Sequence, residues 1–280
     1  MSYTAEISRT NPSCFLFLID QSGSMSDAFG GGESNRKKAD EVADAINRLL
    51  QNLVIRCAKA EGVRDYYHIG VIGYGASVGA AFGGTLAGKE LVLISEVATQ
   101  PARVETRTKK VSDGAGGLVD QEVKFPIWFD PKADNGTPMA EAFRCADRIL
   151  SSWLAAHRTC FPPIVINITD GEPNPNDDPA SAAMSLKSQS SDDGNVLLFN
   201  LHLSSQKSYP VEFPGSDQGL PDQFARNLFG MSSVLPDHMY ESAKAEGYNV
   251  TPNSRGFVFN AGIEAVVKFL DIGTRPSNLR

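Results

Sequence analysis

The chain has 280 residues, of which 41% are hydrophobic and 21% charged, with 25 Gly, 16 Pro and a formal net charge of −7. This is ordinary globular usage and excludes a largely disordered or low-complexity chain. The acidic balance argues against a dedicated nucleic-acid binder, because phosphate neutralisation needs a basic face.

Taken in chain order, the N-terminus shows no basic segment leading into an apolar stretch, so no signal peptide is expected. No apolar run approaches the ~20 residues needed to span a bilayer. The expectation is a cytoplasmic protein with no membrane segment. Cys14–Asp20 (CFLFLID) is a short, nearly continuous apolar run, the pattern of a parallel strand buried on both faces. A Gly-rich loop from Gly23 to Gly32 follows. Ala39, Val42, Ala43, Ile46, Leu49, Leu50, Leu53, Val54 and Cys57 then recur at three- and four-residue spacing and predict a long helix. His68–Tyr74 (HIGVIGY) is a second buried strand.

Residues 76–133 break this rhythm. Leu91–Val97 (LVLISEV) and Ala102–Val111 read as strands, and a Gly-rich turn at Asp113–Gly117 leads into LVDQEVKFPIWF. The segment is expected to be a β-rich insertion within one domain covering 1–280. GGTLAGKE (Gly83–Glu90) nearly matches a phosphate-binding loop, but Glu90 stands where a magnesium-binding hydroxyl is needed.

Alternation then resumes. Thr137 and Pro138 make a favoured N-cap and N1 pair, ahead of a stripe of Met139, Ala142, Phe143, Ala146, Ile149, Leu150, Trp153 and Leu154. Pro163–Asp170 (PIVINITD) and Asn195–Leu203 (NVLLFNLHL) are further buried strands, with a short helix near Ala180–Ser188 between them. Pro- and Gly-rich loops lead to a helix around Asp237–Glu246, a short strand at Arg255–Asn260 and a C-terminal helix marked by Ile263, Val266, Val267 and Leu270. Strands alternating with helices predict an α/β fold: a doubly wound, mostly parallel sheet with helices on both faces. The four cysteines, Cys14, Cys57, Cys145 and Cys160, show no CxxC pair and read as reduced core thiols. The four histidines are scattered and read as structural.

In doubly wound sheets, ligands bind beyond the carboxyl ends of the strands where the strand order reverses. Asp20, Ser22 and Ser24 follow the first strand, Thr137 precedes the second helical stripe, and Asp170 follows the third buried strand. All five carry hard oxygen donors, which select Mg²⁺, with Mn²⁺ or Ca²⁺ as alternatives, over zinc or copper.

Asp-x-Ser-x-Ser after a buried first strand, a Thr in a GTP loop and an Asp in a TDG loop resemble the von Willebrand factor A (VWA) domain, of the bacterial stand-alone type. The resemblance covers about residues 13–273 apart from the insertion. It implies a metal-ion-dependent adhesion site: Ser22 and Ser24 bind the metal directly, Thr137 does so in the ligand-competent state, and Asp20 and Asp170 act directly or through water. A partner's Asp or Glu completes the shell. It further implies a cytoplasmic scaffold, working beside an AAA+ ATPase or a kinase and phosphatase system in stress, signalling or defence, and not an enzyme. The acidic loop after Asp170 (Glu172, Asp177, Asp178) departs from the simplest version of the fold.

Two other readings compete. A magnesium-dependent phosphohydrolase would use Asp20 as nucleophile, but that chemistry needs a second acid two residues on, where Ser22 stands. A structural subunit would keep the same residues without using them.

Overall fold

The structure, a computed structural model, describes residues 3–28, 36–112, 117–204, 209–260 and 268. The first apolar run forms β1 (Ser13–Asp20), buried throughout. Its continuous apolar character has a simple cause. Phe15, Phe17 and Ile19 enter one core, while Cys14, Leu16 and Leu18 enter a second core on the opposite face. After β1 come α1 (Lys38–Cys57), a small antiparallel pair β2 (Ala58–Lys59) and β3 (Gly62–Val63), and β4 (Tyr67–Tyr74). Next are β5 (Val78–Ala80), β6 (Val92–Leu93), α2 (Ile94–Thr99), β7 (Arg103–Ser112) and β8 (Leu118–Ile127). The second half contributes α3 (Met139–Ala156), β9 (Ile164–Thr169), α4 (Pro179–Ser188), β10 (Leu197–His202), β11 (Val211–Glu212), α5 (Gln223–Met231), α6 (Asp237–Ala245) and β12 (Phe257–Phe259).

The main sheet has eight strands in the order β11-β12-β10-β9-β1-β4-β5, with β6 also pairing β4. β12, β10, β9, β1 and β4 run parallel, and the short strands β11, β5 and β6 pair antiparallel. Residues of α1, α2 and α6 fill the core on one face, and those of α3, α4 and α5 fill the core on the other. The chain crosses from β1 to β4 on one side and returns to β9 on the other, so the strand order reverses at β1. The crevice beyond the carboxyl ends of β1 and β9 is the place where such sheets bind ligands. The expected α/β class is the observed one.

Residues 76–133 divide into two parts. The first, through β5 and β6, joins the edge of the main sheet. Phe82, Leu86, Val92, Ile94, Val97, Trp128 and Phe129 pack into the core that α1 faces. The second part is the hairpin β7–β8, in antiparallel register from Arg103↔Ile127 to Ser112↔Leu118. Asn47 of α1 fastens its base. The Asn47 carboxamide oxygen accepts from Trp128 N at 2.8 Å and Phe129 N at 3.1 Å, and its amide donates to Phe129 O at 2.8 Å and Ala43 O at 2.9 Å.

Three expectations need correction. Leu91–Val97 is not one strand: only Val92–Leu93 pairs, and a helix starts at Ile94. Glu96 Oε2 accepts from Leu93 N at 3.0 Å and Asp65 Oδ1 accepts from Ser95 N at 3.0 Å, satisfying the donors of the first turn. Gln223–Met231 is a helix where a loop was expected; Asp222 Oδ1 accepts from Ala225 N at 2.7 Å as its N-cap. Thr137 is not an N-cap. α3 begins at Met139, and Pro138, with φ −78° and ψ 64°, forms an inverse γ-turn in which Thr137 O accepts from Met139 N at 2.9 Å. The capping is done from outside the helix, by Asp177 Oδ2 accepting from Ala140 N at 2.9 Å.

Residues 29–35, which include the end of the Gly-rich loop, 113–116 of the expected hairpin turn, and Ile263, Val266, Val267 and Leu270 lie outside the described residues. All four cysteines are free, with Cys14, Cys57 and Cys160 buried. Burial pushes the Cys57 and Cys160 thiols up to about 12, which makes them inert. Among the described residues, no helix is long and apolar enough to cross a membrane.

Candidate metal centre

Asp20 ends β1 and is only 1% exposed. Both of its carboxylate oxygens are committed. Oδ1 accepts from Ser22 N at 2.8 Å, which curls the chain into the turn Gly23–Ser26. Oδ2 accepts from Thr169 Oγ1 at 2.6 Å, at the end of β9. Burial pushes the Asp20 carboxyl up to about 6; the nearby charge of Asp170 adds to the rise, and the hydrogen bonds from Ser22 and Thr169 oppose it.

The turn brings two hydroxyls to the same side. Ser22 Oγ and Ser24 Oγ are hydrogen-bonded to each other at 3.0 Å. An octahedral cation with ligands at ~2.1 Å sets neighbouring ligand oxygens about 3.0 Å apart, so this pair has the spacing of two adjacent coordination positions. Ser22 is buried and Ser24 exposed, which puts the pair at the floor and lip of the crevice.

Thr137 reaches this crevice through backbone stitching. Asp134 N donates to Gln21 O at 2.6 Å and Gly23 N donates to Asn135 O at 2.8 Å, tying 134–136 to the β1 turn. On the other side, Asn174 Oδ1 accepts from Thr137 N at 2.7 Å and Asn174 N donates to Thr137 O at 3.0 Å. Gly136 is required here, because a Cβ would lie 2.5 Å from Asn174 Oδ1. With its backbone held at both ends, the Thr137 residue is 6% exposed and fixed in place.

Asp170 completes the set. Its backbone oxygen accepts from His202 Nε2 at 2.5 Å, and Gly171 N donates back to Thr169 Oγ1 at 3.0 Å. Gly171 has φ +96°, and a Cβ there would sit 2.6 Å from His202 Nε2, so the TDG turn depends on glycine. The Asp170 carboxylate accepts from Lys38 Nζ at 3.3 Å. Lys38 is 2% exposed.

Asp20 and Asp170 are close enough for their charges to interact, the two serine hydroxyls follow Asp20, and the Thr137 segment is tied through Asp134 and Asn135 to the same turn. The donor set is all hard oxygen, and it fits a divalent cation that keeps some of its water. Lys38, Asn174 and His202 take part in building the site and carried no site signal in the sequence, while Thr169 of the TDG loop and Asp177 of the acidic loop support it in roles the sequence did not assign. Of the acidic loop, Asp177 caps α3 and Asp178 caps α4 by accepting from Ser181 N at 3.1 Å, so both serve the backbone.

No family model matches the chain, and none of the curated proteins does. Among solved structures, it is similar to proximal thread matrix protein 1 from the mussel byssus, at 14% identity and a TM-score of 0.46 over 96% of this chain and 48% of that one. It thus spans about half the length of that protein. A manganese-loaded TRAP protein of Plasmodium vivax matches at 15% identity and a TM-score of 0.44, over 94% of this chain and 73% of that one. The vWF domain of the pili tip protein Mfa5 from Porphyromonas gingivalis matches at 14% identity and a TM-score of 0.31, over 58% and 39%. Likenesses this distant say nothing about what this chain binds.

Proposed function

We propose that the chain is a metal-dependent protein-interaction module. Ser22, Ser24 and Thr137 ligate Mg²⁺ directly, and Asp20 and Asp170 hold it directly or through water. Neutral hydroxyls leave the ion most of its charge, so it seeks an anionic ligand from outside, and a partner's Asp or Glu supplies one. The observation that carries this reading is the 3.0 Å pair of serine hydroxyls set over an Asp20 whose own oxygens are already committed. It agrees with the resemblance of the DxSxS, GTP and TDG motifs to the VWA adhesion site. A role as a cytoplasmic scaffold, beside an AAA+ ATPase or a kinase and phosphatase system, belongs to the same proposal and rests on that resemblance alone.

The phosphohydrolase reading is weaker. A nucleophilic carboxylate needs a free oxygen facing the substrate. Asp20 is buried with both oxygens hydrogen-bonded, and no acid stands two residues on.

Calorimetric titration of Mg²⁺ into metal-stripped protein tests the proposal. Wild type is expected to bind at one site, with binding lost or at least tenfold weaker in Ser22→Ala and Asp170→Ala. Equal binding by all three would overturn the site. Phosphatase turnover abolished by Asp20→Asn would replace the binding reading with the enzymatic one.

A further inference from the structure

Lys38 is in an unfavourable place by every elementary rule. It is the first residue of α1, where the helix dipole presents positive charge and disfavours a cation. It is also 2% exposed, and a lysine is almost never that buried unless paired. Its pairing is thin: among the described residues, its three ammonium protons have one acceptor, Asp170 Oδ2 at 3.3 Å. The backbone is fixed as well, with Lys38 N donating to Asp27 O at 2.9 Å, so the side chain is anchored at the root and aimed into the crevice. The neighbouring positions show what an ordinary arrangement looks like. Arg36, half exposed, reaches two acids of the helix, Glu41 at 3.3 Å and Asp44 at 2.5 Å.

We infer that Lys38 is a built-in countercharge that weakens metal binding at Asp170 and, once the metal is in place, tunes the centre to accept one carboxylate. This rests on the metal reading above. An ammonium in contact with Asp170 neutralises part of the field that draws in a dication and repels the dication itself. In a crevice of low effective dielectric, both terms are much larger than in water. The charge balance gives the second half. Two aspartates, one ammonium and a dication leave the loaded centre with a single positive charge. One Asp or Glu of a partner cancels it. Without Lys38 the loaded centre would carry no net charge, and its pull on an acidic ligand would be weaker. Metal and acidic partner are thereby coupled: each binds better when the other is present.

The test removes the charge and keeps the stem. Lys38→Met retains the apolar length, and Lys38→Gln retains a hydrogen-bond donor. Mg²⁺ alone is titrated calorimetrically into wild type and both variants, with thermal unfolding followed at rising Mg²⁺ in parallel. The inference expects Mg²⁺ affinity to rise at least tenfold in both variants, and their unfolding midpoints to gain more from Mg²⁺ than that of wild type. Simple damage to the site cannot raise affinity. A variant that folds only when Mg²⁺ is present also supports the inference, since the ion then balances the charge that Lys38 balanced. Equal or weaker Mg²⁺ binding in the variants, with wild type binding normally, overturns the countercharge and leaves the metal site standing. Variants that do not fold at any Mg²⁺ concentration overturn it too, and make Lys38 a structural residue. Absence of binding in wild type and variants alike overturns the metal reading itself and the inference with it.

Discussion

The Tyr74 hydroxyl donates to Asn167 Oδ1 at 2.7 Å, joining β4 to β9 across the intervening β1 inside the core. The connection continues. Asn167 Nδ2 donates to Asn200 Oδ1 at 2.9 Å, and Asn200 Nδ2 donates to Ser232 Oγ at 2.9 Å and Leu228 O at 3.2 Å. A polar line thus crosses three strands from the neighbourhood of Asp20 to the end of α5. Each member is buried, so each bond that is broken leaves an unsatisfied group in a low-dielectric interior. Tyr74→Phe removes one donor and orphans Asn167 Oδ1. The expected loss is about 1–3 kcal/mol in urea unfolding, with an unchanged denaturant slope. A change under 0.5 kcal/mol would mean the line is not continuous in solution.

Gly171 is the second test. Alanine at φ +96° is strained, and its Cβ would press on His202 Nε2, the atom that holds Asp170. Gly171→Ala is expected to cost roughly 2 kcal/mol or more. It should also weaken Mg²⁺ binding, because Asp170 moves with the turn. Calorimetry and denaturant unfolding on the same sample separate the two effects.

Asn47 is the fastening of the hairpin. Asn47→Ala removes its bonds to Trp128 N, Phe129 N, Phe129 O and Ala43 O, leaving the first three without the partner they had. The expected cost is about 3 kcal/mol or more. Hydrogen exchange should localise the damage, with the Trp128 and Phe129 amides losing protection while the β1 and β9 amides lose least. Uniform loss of protection would show that the hairpin base and the sheet open as one unit.

His68 sets an acid limit. Burial first, and then the charge of His157, hold its imidazole below the ordinary 6.5, while Asp65 and Glu96 pull the other way. The ring packs edge-on against Trp153 and His157, with centroids 5.7 and 5.4 Å apart. Because the folded value lies below the unfolded one, the unfolded chain takes up the proton first on acidification. The contribution of His68 to stability is therefore full above pH 6.5 and is lost as pH falls from there through the folded value. Scanning calorimetry should show the wild-type Tm falling more steeply below pH 6.5 than that of His68→Phe. Parallel curves would clear His68 of the effect.

The strands that carry the site were legible because each is buried on both faces, and a doubly buried strand writes itself as an apolar run: β1, β4, β9 and β10 all fell on such runs. The five oxygen donors were legible because they sit where those runs end. The supporting residues were not. Lys38 stands just before the apolar stripe that begins at Ala39, and only packing shows that its side chain turns inward. Asn174 and Asp177 sit in a Pro/Asn/Asp loop, and nothing local says that they grip a segment 37 residues away. Asn167 and Asn200 did leave a mark, as single polar residues inside apolar strands, and that mark was open to reading. α2 was hidden because Ile94 and Val97 favour strands by local preference, which Glu96 in the first turn and Asp65 from a distant segment override by capping the helix start. α5 carried a readable signal, Asp222 ahead of Ala225, Leu228 and Phe229, obscured by the prolines and glycines before it.

The margins of the main sheet have a practical consequence. Among the described residues, its outermost strands are Val211–Glu212 on one side and Val78–Ala80 with Val92–Leu93 on the other, all antiparallel and none more than three residues long. None offers enough unpaired backbone to recruit a strand from another molecule. The hairpin is different: its two strands are ten residues each, with Val104, Leu118 and Val119 open to solvent. If this protein self-associates in concentrated solution, the ladder of the hairpin is where the first foreign strand would add, away from the crevice at the other strand ends.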